Sequence, residues 1–565
     1  MLSLKRLIYI ILAVAVLGGI LLVYGIVENR SSGGSQEAPF SERAFTETRQ
    51  VDEGQKPRIW VLGDPQSERY GAVFRNVCQY CADLHLAVIA DGRLNIAEVE
   101  ARDLVVFCDG TVSRYVDLNE LEDFVAEGGH VIFGAGVDGE MEEDALWTTL
   151  GIQNWDVPKD CHDLVFKKPL LPVQPKQAFY DGASSSAQIE VIDDASVYIE
   201  DAKSEVPLLY TRDWQKGKVC MINGAFLADM RCMGLLAGAI GTLLPDFVYP
   251  VLGVKAVFLD NFPVVSSAND ELSRQAYGYS VTGFVEDVAW PVFQGISLRT
   301  ETPYTASVPV MSSSGDDFGM IDDDLLMSIG SSIRQFDGEL VYGAACSDET
   351  VVFNQAAIDE FSNAFPNYTV RGLVLEEGGF SPSMLKVSGA DIRVVRSTLD
   401  DGDTRLSWEN GLAMFPELTR GSGMEQGNLF AIYSLLGAYG MVSHGFDFSL
   451  LSAWDGKTAI WDLDKKQIGI FESDVLARAT WLEGRTLAQT EGDVRSYQTM
   501  EYGWMANGDS LELECSGIVK GQAFFYHTDA RIIDAQGLSY ESVGNGYYLL
   551  RVQDNHASIT LQEGE

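Results

Sequence analysis

Basic residues are what this chain most lacks. Lysine and arginine total 40 against 82 aspartates and glutamates over 565 residues, a formal charge of -42. That balance excludes nucleic acid and anionic lipid surfaces as partners, because both would be repelled. It serves solubility, and it admits a cationic partner such as a polymer with free amines. Histidine is scarcer still. His85, His130, His162, His444, His527 and His556 are the full set of 6, and no two stand at H-x-x-x-H spacing. The 8 cysteines include one C-x-x-C, Cys78 and Cys81, with no second pair at zinc spacing. Its stretch, GAVFRNVCQYCADLHLAV, is helical in pattern, so buried thiols or a disulfide are expected rather than a metal or redox centre. There is no repeat of about 20–50 residues.

A long apolar run is present once. Leu7 to Val27, LIYIILAVAVLGGILLVYGIV, carries no charge. At ~1.5 Å per residue it is long enough for a bilayer core of ~30 Å. Lys5 and Arg6 precede it, so the N-terminus is expected in the cytoplasm and the bulk outside. The run is long for a cleaved signal peptide, and no A-x-A site follows. The expectation is a single-pass cell-membrane protein: tip and anchor over 1–27, then a flexible stalk over 28–56, where apolar periodicity is missing.

The first folded block is expected over 57–251. RIWVLGD, HLAVIAD, DLVVFCDG and HVIFGAG read as strands, with an amphipathic helix in VDLNELEDFVAEGG. Strands alternating with helices predict a parallel sheet covered on both faces. PLLYTRDWQKGKVCMINGAF reads as a hairpin returning to that sheet. The block resembles the class I glutamine-amidotransferase-like fold, a flavodoxin-like relative. The enzymes of that superfamily carry a cysteine on a strand-to-helix elbow. The matching stretch here, GGHVIFGAGVDGE, has none, and Cys108 ends an earlier strand, so a structural or binding role is expected.

The second block, 253–489, alternates VKAVFLD, ASVPVMS, GELVYGA, TVRGLVLE, DIRVVRS, GLAMFPE and GMVSHGF with helical patterns. About seven strand–helix units predict a (β/α) barrel, whose chemistry gathers at the C-terminal strand ends. The tail, 495–565, alternates in short runs between Gly, Asn and Asp and predicts a small β-sandwich. The fold class is thus α/β, with an anchor in front and a β-rich tail behind.

The polar residues at the barrel's strand ends are the candidates for chemistry. They are Asp260 and Asn261 in AVFLDNFPVVSS, Asp316 and Asp317 in SSSGDDFG, Glu376 and Glu377 in VLEEGGF, Arg396 in VVRS, Glu417 after AMFP, and His444 and Asp447 in VSHGFDFS. Carboxylates ringed with one histidine suit a carbohydrate-active or metal-assisted site. Trp290, Trp408, Trp454 and Trp461 fall near barrel loops and can stack on sugars or pack in the core.

This layout resembles a family of uncharacterised membrane-anchored proteins associated with Pel-type exopolysaccharide systems of Gram-positive bacteria. Their barrel is similar to NodB-type polysaccharide deacetylases, carbohydrate esterase family four. The resemblance implies a metal-activated water attacking an amide carbonyl. It puts Asp260 at the base, Asn261 at a metal-ligand position, and His444 at the late-strand acid. Asn261 is a poorer ligand than the family's aspartate, and the H-x-x-x-H ligand pair is missing. Asp316 and Asp317 can offer oxygens in its place. No cofactor is therefore expected, and a divalent metal has no histidine motif behind it. The expected role is binding or modification of an exopolysaccharide, with a cationic hexosamine polymer as partner. The alternatives are an active N-deacetylase or hydrolase using Asp260, Asp316, Asp317 and His444, with Asn261, Glu376, Glu377, Arg396, Asp447, Trp408 and Trp454 on substrate, and a scaffold for membrane synthase subunits.

Overall fold

The computed structural model describes residues 43–562 except 91, 138–143, 183, 245, 314–320, 347–350, 378, 399–405, 422–423 and 425. The apolar run 7–27 lies outside the described residues. Among those described, no helix is long and apolar enough to cross a membrane.

The first block begins with strand β1 (Arg58–Leu62), helix α1 (Gly71–Asp83), β2 (Ala87–Ala90), β3 (Leu104–Phe107), α2 (Leu118–Ala126) and β4 (His130–Phe133). All four strands pair in parallel in the order β2-β1-β3-β4. Strands β5 (Asp163–Phe166), β6 (Gln177–Phe179) and β7 (Ser196–Asp201) extend the other side of the sheet, and the expected hairpin is β8 (Pro207–Trp214) with β9 (Gly217–Ile222). It joins the sheet through β9 against β4. Helix α3 (Met233–Leu243) is almost wholly buried, as its run of apolar and small residues dictates.

Strand β10 (Phe247–Val251) leaves this sheet for the tail, so the boundary expected near 251 falls inside a shared element. The seven expected barrel strands follow. They are β11 (Val254–Asp260), β12 (Tyr304–Ser312), β13 (Glu339–Ala345), β14 (Val370–Glu377), β15 (Ala390–Thr398), β16 (Leu412–Glu417) and, after the two-residue β17 (Thr419–Arg420), β18 (Met441–Asp447). They pair in parallel in the order β16-β15-β14-β13-β12-β11-β18. The sheet curls: β17, continuing the chain of β16, pairs in parallel with β18 at the far end. Strands β11 and β12 are buried on both faces, as a covered parallel sheet requires. Helices Trp290–Thr300, Asp323–Gln335, Gln355–Ala364 and Gln426–Tyr439 lie between strands, in chain order α4 to α7.

Helix α8 (Leu487–Thr499) runs through the expected boundary at 489–495, fixed at its start by a Thr486–Gln489 capping box. The tail holds two four-stranded antiparallel sheets, one of which recruits β10. The rings of Tyr502 and Phe524, with centroids 5.3 Å apart, join the two.

One further expectation changes, and another, buried thiols or a disulfide, settles on the first of its alternatives. Residues 43–56 of the presumed stalk are docked on the tail: Thr46 N–H donates to Ile518, Arg43 pairs with Asp493, and Lys56 Nζ sits 4.2 Å from the Tyr502 ring centroid. The cysteines are all free thiols, buried except for half-buried Cys78.

Candidate functional site

The C-terminal strand ends bring four charged groups into one buried network. Asp260, the last residue of β11, is 1% exposed, and Arg396 on β15 is fully buried. Arg396 donates from Nη1 to Asp260 Oδ1 and from Nη2 to Oδ2, both at 2.8 Å, a bidentate pair. Its Nη2 lies 3.3 Å from Glu417 Oε2, and its guanidinium carbon 4.6 Å from the Phe258 ring centroid. Arg420 on β17 donates to Glu417 from Nε at 3.1 Å and Nη2 at 2.8 Å, and Nη2 comes within 3.3 Å of Asp260 Oδ2. Two carboxylates therefore face two guanidiniums, which is how charges survive burial. Burial pushes the Asp260 carboxyl up, the Arg396 guanidinium opposes that rise, and the neighbouring Glu417 charge adds to it. Gly445 on β18 leaves the room: a Cβ there would run into Glu417 and crowd Arg396 and Asp260.

Glu376, one residue from the end of β14, stands beside this network and shares no hydrogen bond with either arginine among the described residues. Its Oε1 accepts from the Ser307 hydroxyl at 3.0 Å and from the Asn261 N–H at 3.3 Å, leaving Oε2 outside both bonds. Burial first, then the nearby Asp260 charge, push its carboxyl up to about 7. A Cβ on Gly343 would fall 2.6 Å from Oε1, so the glycine makes room for the carboxyl. A carboxyl that exchanges its proton near neutrality can serve as acid or base. Asn261 sits at φ 55°, a left-handed conformation that asparagine tolerates. Its amide donates to Asp447 Oδ1 at 3.2 Å. Asp447 also accepts from the Ser449 N–H and hydroxyl, which ties it to the turn Phe448–Ser452.

His444 is not at this mouth. Side chains alternate along β18, so Gly445 faces the network and His444 points the other way. Its ring stacks on Phe471 with centroids 4.5 Å apart. Nε2 is 2.9 Å from the Gly421 carbonyl and must donate there, so Nδ1, 2.8 Å from Thr419 Oγ1, accepts from that hydroxyl. Burial pushes its pKa down to about 3, so the ring is neutral and both nitrogens are occupied. The acid expected from the resemblance is therefore replaced by a packing histidine. Asp260, expected as a base, has both oxygens held by Arg396.

The aromatic candidates divide. Trp408 lies under the Arg495 guanidinium of α8, 5.5 Å from its ring centroid, and is no mouth platform. Trp454 follows β18 at the mouth end, half-buried, 6.2 Å from the Tyr277 ring. Trp290 donates to Ser332 and Trp461 packs on Phe284 and Phe293, both within the core. Asp316, Asp317 and the Glu377 side chain lie outside the described residues. Sequence reading did not single out Arg420, Ser307, Gly343 or Gly445. The signals were Arg420 three residues after Glu417, and lone glycines inside strand patterns.

The described residues do not fit the metal of the resembling deacetylases. Asp260 is saturated by arginine, the Asn261 amide is committed to Asp447, and His444 faces away. Among the described residues no group of three or more His, Cys, Asp and Glu is arranged to hold a metal ion.

A family model described as an uncharacterised protein conserved in bacteria (DUF2194) matches residues 75–315. No curated protein sequence matches this one. Among solved structures, the chain is similar to Agd3, described as a novel carbohydrate deacetylase, at 11% identity and a TM-score of 0.46, covering 90% of this chain and 98% of that one. It is similar to a β-galactosidase from Bacillus circulans sp. alkalophilus at 13% identity and a TM-score of 0.25, over 33% of this chain and 31% of the other. A putative ThuA-like protein from Bacteroides uniformis matches at 9% identity and a TM-score of 0.25, over 31% and 84%. Likeness this loose carries no residue's role from one chain to another.

Proposed function

We propose that this chain is a membrane-anchored, extracytoplasmic protein of exopolysaccharide assembly or modification, held by residues 7–27, whose barrel mouth binds polysaccharide without the metal of a deacetylase. The observation behind this reading is the bidentate Arg396–Asp260 pair, which occupies the group that a deacetylase keeps free. The acidic surface suits a cationic, partly deacetylated hexosamine polymer. Full-length protein in detergent micelles, titrated with glucosamine and N-acetylglucosamine oligomers, is expected to bind in a salt-sensitive way and to release no acetate, with or without added zinc. Zinc-stimulated acetate release that disappears in Asp260→Asn would overturn it.

A second reading has its own support. Glu376, titrating at about 7 beside the half-exposed Arg420, suits metal-free hydrolysis with Glu376 as acid or base. Chelator-resistant cleavage or acetate release, lost in Glu376→Gln, would favour that reading over pure binding.

A further inference from the structure

The hydrogen bonds around Asn261 use up donors and leave acceptors over. Its N–H donates to Glu376 Oε1 at 3.3 Å and its amide to Asp447 Oδ1 at 3.2 Å. Facing a carboxyl oxygen, the amide must present Nδ2 and keep Oδ1 for something else. Glu376 Oε1 also accepts the Ser307 hydroxyl, and Asp447 Oδ1 the N–H and hydroxyl of Ser449, at 2.9 and 2.7 Å. Each carboxyl thus takes all its donors on one oxygen. Glu376 Oε2, Asp447 Oδ2 and Asn261 Oδ1 accept no hydrogen bond among the described residues. None of the three is among the described atoms sealed without a partner, as Glu339 Oε1 is at the other end of the sheet. Asp447 lies two residues beyond Gly445 on β18, on the same inward face, and in register it stands beside Asp260.

The same two carboxyls are unmatched in charge. Asp260 and Glu417 face Arg396 and Arg420, whereas Glu376 and Asp447 join no ion pair among the described residues. Glu376 is 6% exposed, and a carboxyl so buried either keeps its proton or meets a cation. Three free acceptors gathered on one residue and its two partners match a group with three N–H donors and a positive charge. We propose that the mouth is an ammonium site, taking the free amine of a hexosamine unit on Glu376 Oε2, Asp447 Oδ2 and Asn261 Oδ1. This rests on the polysaccharide-binding reading of the mouth and adds which unit of the polymer is recognised there. An N-acetyl group offers one N–H, no charge, and a carbonyl oxygen that three acceptors would repel. A sugar hydroxyl offers one donor and no charge. Calcium takes about 6–8 oxygens, at least twice what is free here.

The test is calorimetry on full-length protein in micelles at physiological salt, with hexamers of glucosamine, N-acetylglucosamine and glucose in the same linkage. The glucosamine hexamer is expected to bind about tenfold tighter than the other two. Asp447→Asn keeps an oxygen for Ser449 and removes the charge. That variant and Glu376→Gln should each reduce the preference to about twofold or less. Asp213→Asn, which removes a mostly exposed acid of the first block, should leave the preference whole. Equal binding of the three hexamers, or a preference that survives both mouth substitutions, would overturn the ammonium site and leave the mouth a polysaccharide site. Binding of none of them would overturn both. Calcium binding to chelator-treated protein, lost in Asp447→Asn, would give the three oxygens to a metal ion and overturn the ammonium site too.

Discussion

Glu339 and Glu376 sit in the same curled sheet, and burial pushes both carboxyls up to about 7. They lie at opposite ends of it. Glu339 opens β13, is fully buried, and accepts the Ala488 N–H at 2.8 Å in the first turn of α8. Glu376 nearly closes β14, keeps 6% exposure, and borders Asn261 and the half-exposed Arg420. The first holds a helix in place; the second faces a mouth. A raised pKa reports burial in both, and only the surroundings separate a structural carboxyl from a candidate for chemistry.

The largest test falls on the mouth's own scaffold. Arg396→Met would leave Asp260 and Glu417 buried with Arg420 alone, and urea unfolding should show a loss of about 3–5 kcal/mol. Replacing the pair together, Asp260→Leu with Arg396→Met, should recover part of that loss, because the stranded charge goes too. A single variant as stable as the parent would mean that the network is ornamental and that the mouth differs little from the surface.

Much of this architecture was legible. The seven strand segments of the curled sheet, the parallel core of the first block and the hairpin at 207–222 follow from apolar runs and punctuation, which are local signals. The site was legible only as a list. Asp260, Glu376, Arg396, Glu417 and Asp447 do converge, because strand ends converge in any such barrel. What could not be read was direction and partnership. Whether His444 or Gly445 faces inward depends on where alternation starts in β18, and a one-residue change reverses it. That Arg396 spends itself on Asp260 is a contact across 136 residues, invisible to spacing. The docking of 43–56 on the tail is likewise a long-range event in a segment whose composition reads as linker.

A middling effect is expected at the other glutamate. Glu339→Ala deprives the Ala488 N–H of its acceptor inside the core and should cost about 1–3 kcal/mol. The pH dependence has a definite sign. Between the ordinary glutamate value of 4.5 and about 7 the folded chain keeps a proton on Glu339 that the unfolded chain has released. Stability therefore falls as pH rises through that window, and thermal unfolding of the Ala variant should show a shallower fall than the parent. An unchanged slope would remove Glu339 from the comparison.

The smallest effect on the fold, and the most informative, belongs to Glu376→Gln. Glutamine keeps an Oε1 that can accept from Ser307 and Asn261, so the change in stability at pH 5 should stay under about 1 kcal/mol. At pH 8 the variant should be the more stable protein, because it no longer carries a buried group that ionises near 7. Glu339→Gln shares that pH signature, since both glutamates are raised by burial. Ligand separates them. If the mouth is the polysaccharide site, a hexosamine oligomer raises the melting temperature of the parent and of Glu339→Gln, and protection is lost in Glu376→Gln. Equal protection of both variants would return Glu376 to the structural side and move the search for the binding group to Trp454 and Arg420.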